Sequence, residues 1–214
     1  MSFTAFVDGP FWYFSATVFV IGVLWRLVGM LNMGSKTDFS IPRSSGSAAA
    51  LSINITRFFP RADFWSRIRL QVVAGYLFHV GLFALLFFAA PHIEFYREYV
   101  TGFGWVALPE WAFILVSEIA FLGLMLLILH RMLNPVTRAI SDRGDYIGSI
   151  LIFLVMLTGC LALARSHEVL RVTHFFLAEL LLVYFPFSAL IHTFTFPFSR
   201  GFMGAHYGRR GVKV

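Results

Sequence analysis

Long apolar runs separated by short polar stretches dominate the hydropathy pattern of this 214-residue chain. A hydrocarbon core about 30 Å thick requires roughly 20 consecutive apolar residues of helix to cross it, and five runs meet that requirement. They are Phe11–Met33, Leu70–Ala90, Trp111–Met132, Tyr146–Ala164 and Val172–Pro197. The pattern therefore predicts an all-α integral membrane protein, a bundle of five transmembrane helices that forms one domain over residues 1–214.

The composition agrees with the pattern, since 58% of the residues are hydrophobic and only 13% are charged. A water-soluble core of this size does not need 26 phenylalanines. The first run is too long for a signal peptide and has neither a basic start nor a small-residue cleavage pattern, so we expect a retained helix.

Basic residues are distributed very unequally between the two sets of polar segments, and basic segments stay on the cytoplasmic side of a membrane. The segments after helices one, three and five hold 13 of them: Lys36, Arg43, Arg57, Arg61, Arg67, Arg69, Arg131, Arg138, Arg143, Arg200, Arg209, Arg210 and Lys213. The other side holds Arg97, Arg165 and Arg171. We therefore expect the N-terminus outside and the C-terminus in the cytoplasm. Because the charges lie beside helix ends, the net charge of +6 requires no nucleic-acid partner.

The chain has a single cysteine, Cys160, inside the fourth apolar run. A covalently attached haem needs a Cys-x-x-Cys-His motif, and an iron–sulfur cluster needs several thiolates. Both are excluded within this chain, so any haem must be held by histidine or methionine.

Histidines recur within or beside the apolar runs. His174 and His192 lie in the fifth run, His79 lies in the second, and His92 follows the second directly. Placing an imidazole in a bilayer costs free energy, so histidines at such positions usually bind a ligand or a metal ion. Haem iron is the leading candidate. With a rise of about 1.5 Å per residue, His79 and His192 fall at a similar inner depth, whereas His174 and His92 fall near the outer face. A hydrogen-bonded histidine in the bundle core is the competing interpretation for each.

Three other ionisable residues in the apolar runs are candidates for the site. Glu118 and Glu179 are in the outer halves of helices three and five, where each either handles the proton of a quinone or is a neutral, hydrogen-bonded carboxyl. Arg26, near the inner end of helix one, either binds a haem propionate or extends its charged head to the membrane surface.

Five fragments resemble one superfamily of membrane cytochromes. The runs 76–81 (Tyr-Leu-Phe-His-Val-Gly), 129–135 (Leu-His-Arg-Met-Leu-Asn-Pro) and 185–192 (Phe-Pro-Phe-Ser-Ala-Leu-Ile-His) resemble the cytochrome b subunit of respiratory nitrate reductase. The runs 141–146 (Ser-Asp-Arg-Gly-Asp-Tyr) and 207–212 (Tyr-Gly-Arg-Arg-Gly-Val) are more similar to the cytochrome b subunits of sulfite-reduction-associated and heterodisulfide-reductase-like complexes.

The resemblance implies a subunit of the prokaryotic cytoplasmic (inner) membrane that binds one or two haems b. Such a subunit passes electrons between a menaquinone or ubiquinone pool and an iron–sulfur subunit on the cytoplasmic face, with other membrane or periplasmic subunits as further partners. The reaction on the terminal substrate belongs to other subunits. A complex of sulfur metabolism is one implication, and a quinol-oxidising gamma subunit of the nitrate-reductase type is the alternative. The direction of electron flow stays open.

The resemblance also assigns ligands. In the superfamily the inner haem is held at the positions of His79 and His192. The outer haem is held at the position of His174 and at a second position, which Ala89 occupies here. Three explanations compete: His92 replaces the ligand, the outer haem is absent and His174 serves a quinone or a proton, or another chain supplies the ligand.

A different functional class remains open, because five helices with intramembrane His and Glu also suit a proton-coupled transporter or a haem-free anchor. A transporter would more often show paired repeats with helices broken by Gly or Pro at corresponding positions, and no such pairing is visible in the sequence. A haem protein is red, and the alternatives are colourless.

Overall fold

A computed structural model describes residues 2–33, 39–165 and 167–212. Lys36 and Lys213, two of the basic residues behind the predicted orientation, lie outside these residues, as does the side chain of Arg165. Throughout the described ranges every regular element is helical and no strand is present.

The helices, in chain order, are α1 (Phe3–Asn32), α2 (Ser47–Thr56), α3 (Ala62–Phe88), α4 (Ala90–Tyr96), α5 (Glu110–Leu133), α6 (Pro135–Ile140), α7 (Arg143–Arg165), α8 (Glu168–Tyr184) and α9 (His192–Arg209). Five of them, α1, α3, α5, α7 and α8, are long and apolar enough to cross a membrane. The all-α class is thereby confirmed, and the five candidate membrane-spanning helices are those expected of a multi-pass membrane protein.

Chain contacts divide the molecule into two compact units. We call Ala62–Cys160 the central unit, and Met1–Arg61 together with Leu161–Val214 the terminal unit. Each unit has its own packing and is described by itself.

The central unit is built on a close contact between α3 and α5. A Cβ added to Gly81 would lie 2.7 Å from the Cβ of Ala120. One added to Gly123 would lie 2.5 Å from the backbone nitrogen of Phe78 and 2.7 Å from the carbonyl oxygen of Ala74. The two backbones approach closely because these positions lack side chains, which is a common way for helices to pack in membranes.

Local capping shapes the polar end of α5, α6 and α7. The Asn134 side chain accepts hydrogen bonds from the first amides of α6, with Pro135 following as the first helical residue. Asp142 and Asp145 exchange side-chain-to-backbone hydrogen bonds of 3.0 and 3.1 Å at the start of α7. Arg131 then binds Asp145 at 2.8 Å and Ser141 at 2.9 Å. The fragments 129–135 and 141–146 therefore fold as helix ends.

The terminal unit packs α1 against α8. Arg171 pairs with Asp8 near the starts of the two helices, and Gly22 lies against Pro186 near the end of the contact. Within α1, residues Val7–Phe11 form a π-helical turn that contains Pro10.

The predicted uninterrupted helix Val172–Pro197 is wrong. The α-helix ends at Tyr184, passes through two 3₁₀ turns, Phe185–Phe187 and Ala189–Ile191, and restarts as α9 at His192. Pro186 has no amide hydrogen to continue the helix. Ser188 adopts an extended backbone (φ −117°, ψ 175°), and its hydroxyl accepts from the Leu190 amide at 3.2 Å.

Helix α9 begins after the fifth candidate span, which ends at Phe187, and packs on α2 through small residues. A Cβ on Gly204 or on Gly208 would lie 2.5 Å from atoms of Ala49. The end of α9 is a Schellman motif, with Gly211 at φ 74° and the Val212 amide bonded to the Tyr207 carbonyl at 3.0 Å. The resembling fragment 207–212 is therefore a helix stop.

Candidate functional sites

His79 lies on the exposed surface of α3, one turn after Gly75. Its Nδ1 lies 2.7 Å from the Gly75 carbonyl oxygen. Since a carbonyl only accepts, Nδ1 carries the hydrogen and the lone pair of the neutral ring is on Nε2. A Cβ placed on Gly75 would meet nothing within 4 Å. An imidazole oriented by a backbone carbonyl beside open space is the arrangement that metal-ligating histidines usually have.

His192 has the same arrangement in the terminal unit. It is exposed at the start of α9, and its Nδ1 donates to the Ala189 carbonyl at 2.7 Å. That carbonyl belongs to the 3₁₀ turn that follows Ser188. The interruption of the fifth span thus sets the orientation of the ring and again leaves the lone pair on Nε2.

His92 contributes to capping the end of α3, where four carbonyls lack partners within the helix. Its Nδ1 lies 3.1 Å from the Leu85 oxygen and 3.0 Å from the Leu86 oxygen. The next two carbonyls, of Phe87 and Phe88, accept from the Trp105 indole at 2.7 Å and from the Leu108 amide at 2.9 Å. His92 therefore has a structural function that the sequence did not suggest, and its lone pair too is on Nε2.

Tyr96 stacks between Phe87 and Trp105 in the same region, with ring centroids 5.9 and 5.8 Å away. Burial raises the pKa of its hydroxyl above the usual range. The aromatic stack holds the segment after α4 against the end of α3.

His174 and Ala89, the other two positions considered for the outer haem, differ in burial. His174 is half-buried on α8, with its ring tilted against Phe175 at 6.2 Å. Ala89 is buried and has an extended backbone (φ −70°, ψ 133°) between α3 and α4, because the helix breaks ahead of Pro91. The position where the superfamily has its second outer ligand is therefore outside any helix here.

His79 in the central unit and His192 in the terminal unit each have Nε2 as the basic nitrogen, and each lies on an exposed helix surface. Among the described residues there is no group of three or more His, Cys, Asp or Glu side chains that could hold a metal ion by themselves. A b haem would need no such group, since histidine side chains alone would hold it.

The other predicted residues divide by exposure. Glu118 on α5 and Arg26 on α1 are exposed. Glu179 on α8 is only 3% exposed, and its Oε2 has no hydrogen-bond partner. A carboxyl left in this state is unusual, because buried polar groups are nearly always hydrogen-bonded.

The sequence did not predict the ion-pair cluster at the start of α8. Arg171 donates to both oxygens of Asp8 at 3.0 and 2.8 Å, and to both oxygens of Glu168 at 3.0 and 2.7 Å. Asp8 and Arg171 are 163 residues apart, so no local pattern points to their contact.

A relative from Nitratidesulfovibrio vulgaris (strain Hildenborough) is 26% identical over 215 residues, which cover 97% of this chain and 95% of the relative. It is named only as a protein, without a stated function. No family model matches the chain, and no solved structure matches it.

Proposed function

We propose that the chain is the membrane-anchoring haem b subunit of a respiratory complex. It passes electrons between a menaquinone or ubiquinone pool and an iron–sulfur subunit on the cytoplasmic face of a prokaryotic inner membrane. The observation that carries the proposal is the shared setting of His79 and His192, whose Nδ1 atoms each donate to a backbone carbonyl at 2.7 Å.

His79 and His192 are the proposed residues that would hold the inner haem. Their pairing rests on the sequence, which gives both histidines a similar membrane depth and matches them to the ligand positions of the nitrate-reductase-type cytochromes. The backbone hydrogen bonds fix the tautomer and the ring plane of each imidazole. When bound, haem b supplies a one-electron carrier within the membrane.

His174 is the proposed ligand on the outer side, with His92 as its partner in place of Ala89. The capping hydrogen bonds of His92 hold its ring in the tautomer that a ligand requires. Arg26 is the proposed contact of a haem propionate, while Glu118 and Glu179 are the proposed groups that handle quinone protons.

The proposed orientation places the N-terminus outside, so that α2 and the end of α9 face the cytoplasm. Their surface combines exposed apolar residues with arginines. Exposed members include Leu51, Ile55, Arg57, Phe59, Phe202 and Arg209. An acidic iron–sulfur subunit suits this surface by charge, and a sulfur-metabolism complex is the preferred setting over the nitrate-reductase type.

The test is the content of haem b per chain in the protein purified with its bound partners, measured as the pyridine haemochrome. We expect His79→Asn and His192→Asn each to remove one equivalent, and the double variant to remove no more than either alone. Asparagine retains a donor near the position of Nδ1, so the backbone hydrogen bond survives while ligation is lost. Gly29→Ala is the matched control, because a Cβ there meets nothing within 4 Å.

A colourless wild-type protein would overturn the haem proposal. The second candidate, a proton-coupled transporter, would then be favoured by the interrupted helix between Tyr184 and His192 and by the buried carboxyl of Glu179. Reduction of the bound haem by a quinol analogue separates a quinone-linked cytochrome from one that only exchanges electrons with proteins.

A further inference from the structure

The contact between α1 and α8 carries a line of polar residues, which we call the polar seam. Its members are Asp8, Ser15, Arg171 and Glu179. Asp8 meets Arg171 at an offset of 163 residues along the chain, and Gly22 meets Pro186 at an offset one residue larger. A nearly constant offset means that the two helices run parallel and in register. The same offset brings Ser15 of α1 level with residues 178–179 of α8.

Ser15 and Glu179 are the buried polar residues of this seam, with exposed fractions of 0% and 3%. The Ser15 hydroxyl donates to the Trp12 carbonyl at 3.0 Å within its own helix. The Glu179 Oε2 atom has no hydrogen-bond partner. An unpaired carboxylate in an apolar environment is very costly, so Glu179 is neutral and carries a proton.

One end of the seam lies at the partly exposed cluster of Asp8, Glu168 and Arg171. The Arg171 and Asp8 side chains are 36% and 38% exposed, so these charges mark the boundary with water. Glu179 is eight residues beyond Arg171, about 12 Å deeper at the rise of an α-helix.

Two further features bear on this end of the seam. Asp8 lies within the π-helical turn Val7–Phe11, and π-helical turns inside α-helices are frequent at functional sites. His174 is the other titratable group on α8 between the cluster and Glu179. The charged groups that face the seam are thus Asp8 from α1 and Glu168 and Arg171 from α8.

We propose that Glu179 is a proton-exchange site, which holds a proton within the membrane span and exchanges it with water at the Asp8 end of the seam. On release the O–H bond breaks, the proton passes to water and the carboxylate stays on Glu179. On uptake the same oxygen is protonated again. The exchange needs no haem, so it fails or succeeds separately from the proposed electron transfer.

Infrared spectroscopy of the full chain with its bound partners in lipid tests this proposal. We expect a C=O stretching band of a protonated carboxylic acid that shifts when H₂O is replaced by D₂O. Glu179→Gln, which conserves shape, should remove this band. The matched control Glu110→Gln, which changes an exposed carboxyl at the start of α5, should retain it.

Absence of the band from the wild-type spectrum would overturn the proposal, because Glu179 would then be charged. A band that persists unshifted in D₂O would also overturn it, since the carboxyl would be sealed from water. Asp8→Asn is expected to slow the shift several-fold, and an unchanged rate would overturn the route past Asp8.

A measurement on the unmodified protein guards against a variant that does not fold. Dicyclohexylcarbodiimide enters membranes and reacts with protonated carboxyls, where a carboxyl oxygen bonds to the carbodiimide carbon and the acid proton moves to its nitrogen. Mass spectrometry should find the adduct on Glu179, and less of it as the pH is raised. Labelling confined to other carboxyls would overturn the proposal.

Discussion

The contact between α3 and α5 in the central unit and the contact between α1 and α8 in the terminal unit solve the same packing problem with different residues. Gly81 and Gly123 bring the backbones of the first pair together. The second pair has aromatic rings, an ion pair and a buried carboxyl along its length, with Phe11 and Phe176 at 5.6 Å as one of its ring contacts.

The contact between α3 and α5 is therefore a structural scaffold, whereas the contact between α1 and α8 is a candidate site. Backbone-to-backbone packing leaves no room for a side chain and has no titratable group, so it holds one arrangement. The contact between α1 and α8 contains an unpaired polar atom, Oε2 of Glu179. Its energy therefore depends on the protonation state of that carboxyl and on the access of water. We therefore expect substitutions to act mainly on stability in the first contact and mainly on chemistry in the second.

The largest expected effect is that of Gly123→Ala. Its new Cβ would lie 2.5 Å from the Phe78 backbone nitrogen, and backbone cannot move aside as a flexible side chain can. Overpacking of this kind costs about 1–3 kcal/mol, which should appear as a lower midpoint of thermal unfolding in detergent.

The matched control for that loss is Gly75→Ala on α3, where a Cβ meets nothing within 4 Å. It should leave the unfolding midpoint unchanged or raise it, since Ala is favoured over Gly in helices by about 1 kcal/mol. Equal losses for the two variants would contradict the distinction between a packed and an open glycine. Loss of haem in Gly75→Ala without loss of stability would identify the open space as part of the haem pocket.

An intermediate effect is expected for His92→Ala. It removes the donor to the Leu85 and Leu86 carbonyls, at a cost of about 1 kcal/mol for the free energy of unfolding. Hydrogen exchange should be faster for the amides of α4 and the last turn of α3. His92→Asn retains a donor and should recover part of the stability, and a failure of rescue would mean that the capping bond is not what His92 contributes.

The smallest stability effect is expected for Arg171→Gln. The pairs with Asp8 and Glu168 are partly exposed, with side-chain fractions between 36% and 60%, and solvent screens such pairs to about 0.2–1 kcal/mol. The unfolding midpoint should fall slightly, and the difference from wild type should shrink as salt is added. A loss as large as that of Gly123→Ala would show that this ion pair is structural, and it would erase the contrast between the two contacts.

Hydropathy predicted the five spans because crossing a membrane requires length and apolarity, and both are local properties of the chain. Pro186 did not reveal the interruption after Tyr184, because membrane helices often tolerate proline. The extended backbone of Ser188 separates the two 3₁₀ turns that follow Tyr184, and its hydroxyl caps the second turn. A binary apolar pattern records neither feature.

The residue types of the candidate site could be predicted from the sequence, but their hydrogen bonds and long-range contacts could not. His79, His192 and Glu179 were visible as ionisable residues in apolar runs. The hydrogen bonds of the two histidines were not visible in the sequence, because donation from a ring to a nearby carbonyl depends on the side-chain rotamer. The Asp8–Arg171 pair joins distant parts of the sequence and required the fold.

The packing of α2 on α9 has a consequence for how the protein is made. The Arg43 amide bonds to the Arg209 carbonyl at 2.7 Å, and the Ser44 hydroxyl bonds to the Gly208 carbonyl at 2.9 Å. A ribosome delivers Arg43 long before Arg209, and folding during synthesis begins from the N-terminal side. The segment after the first span must therefore remain without its partner surface until Gly208 and Arg209 have been translated.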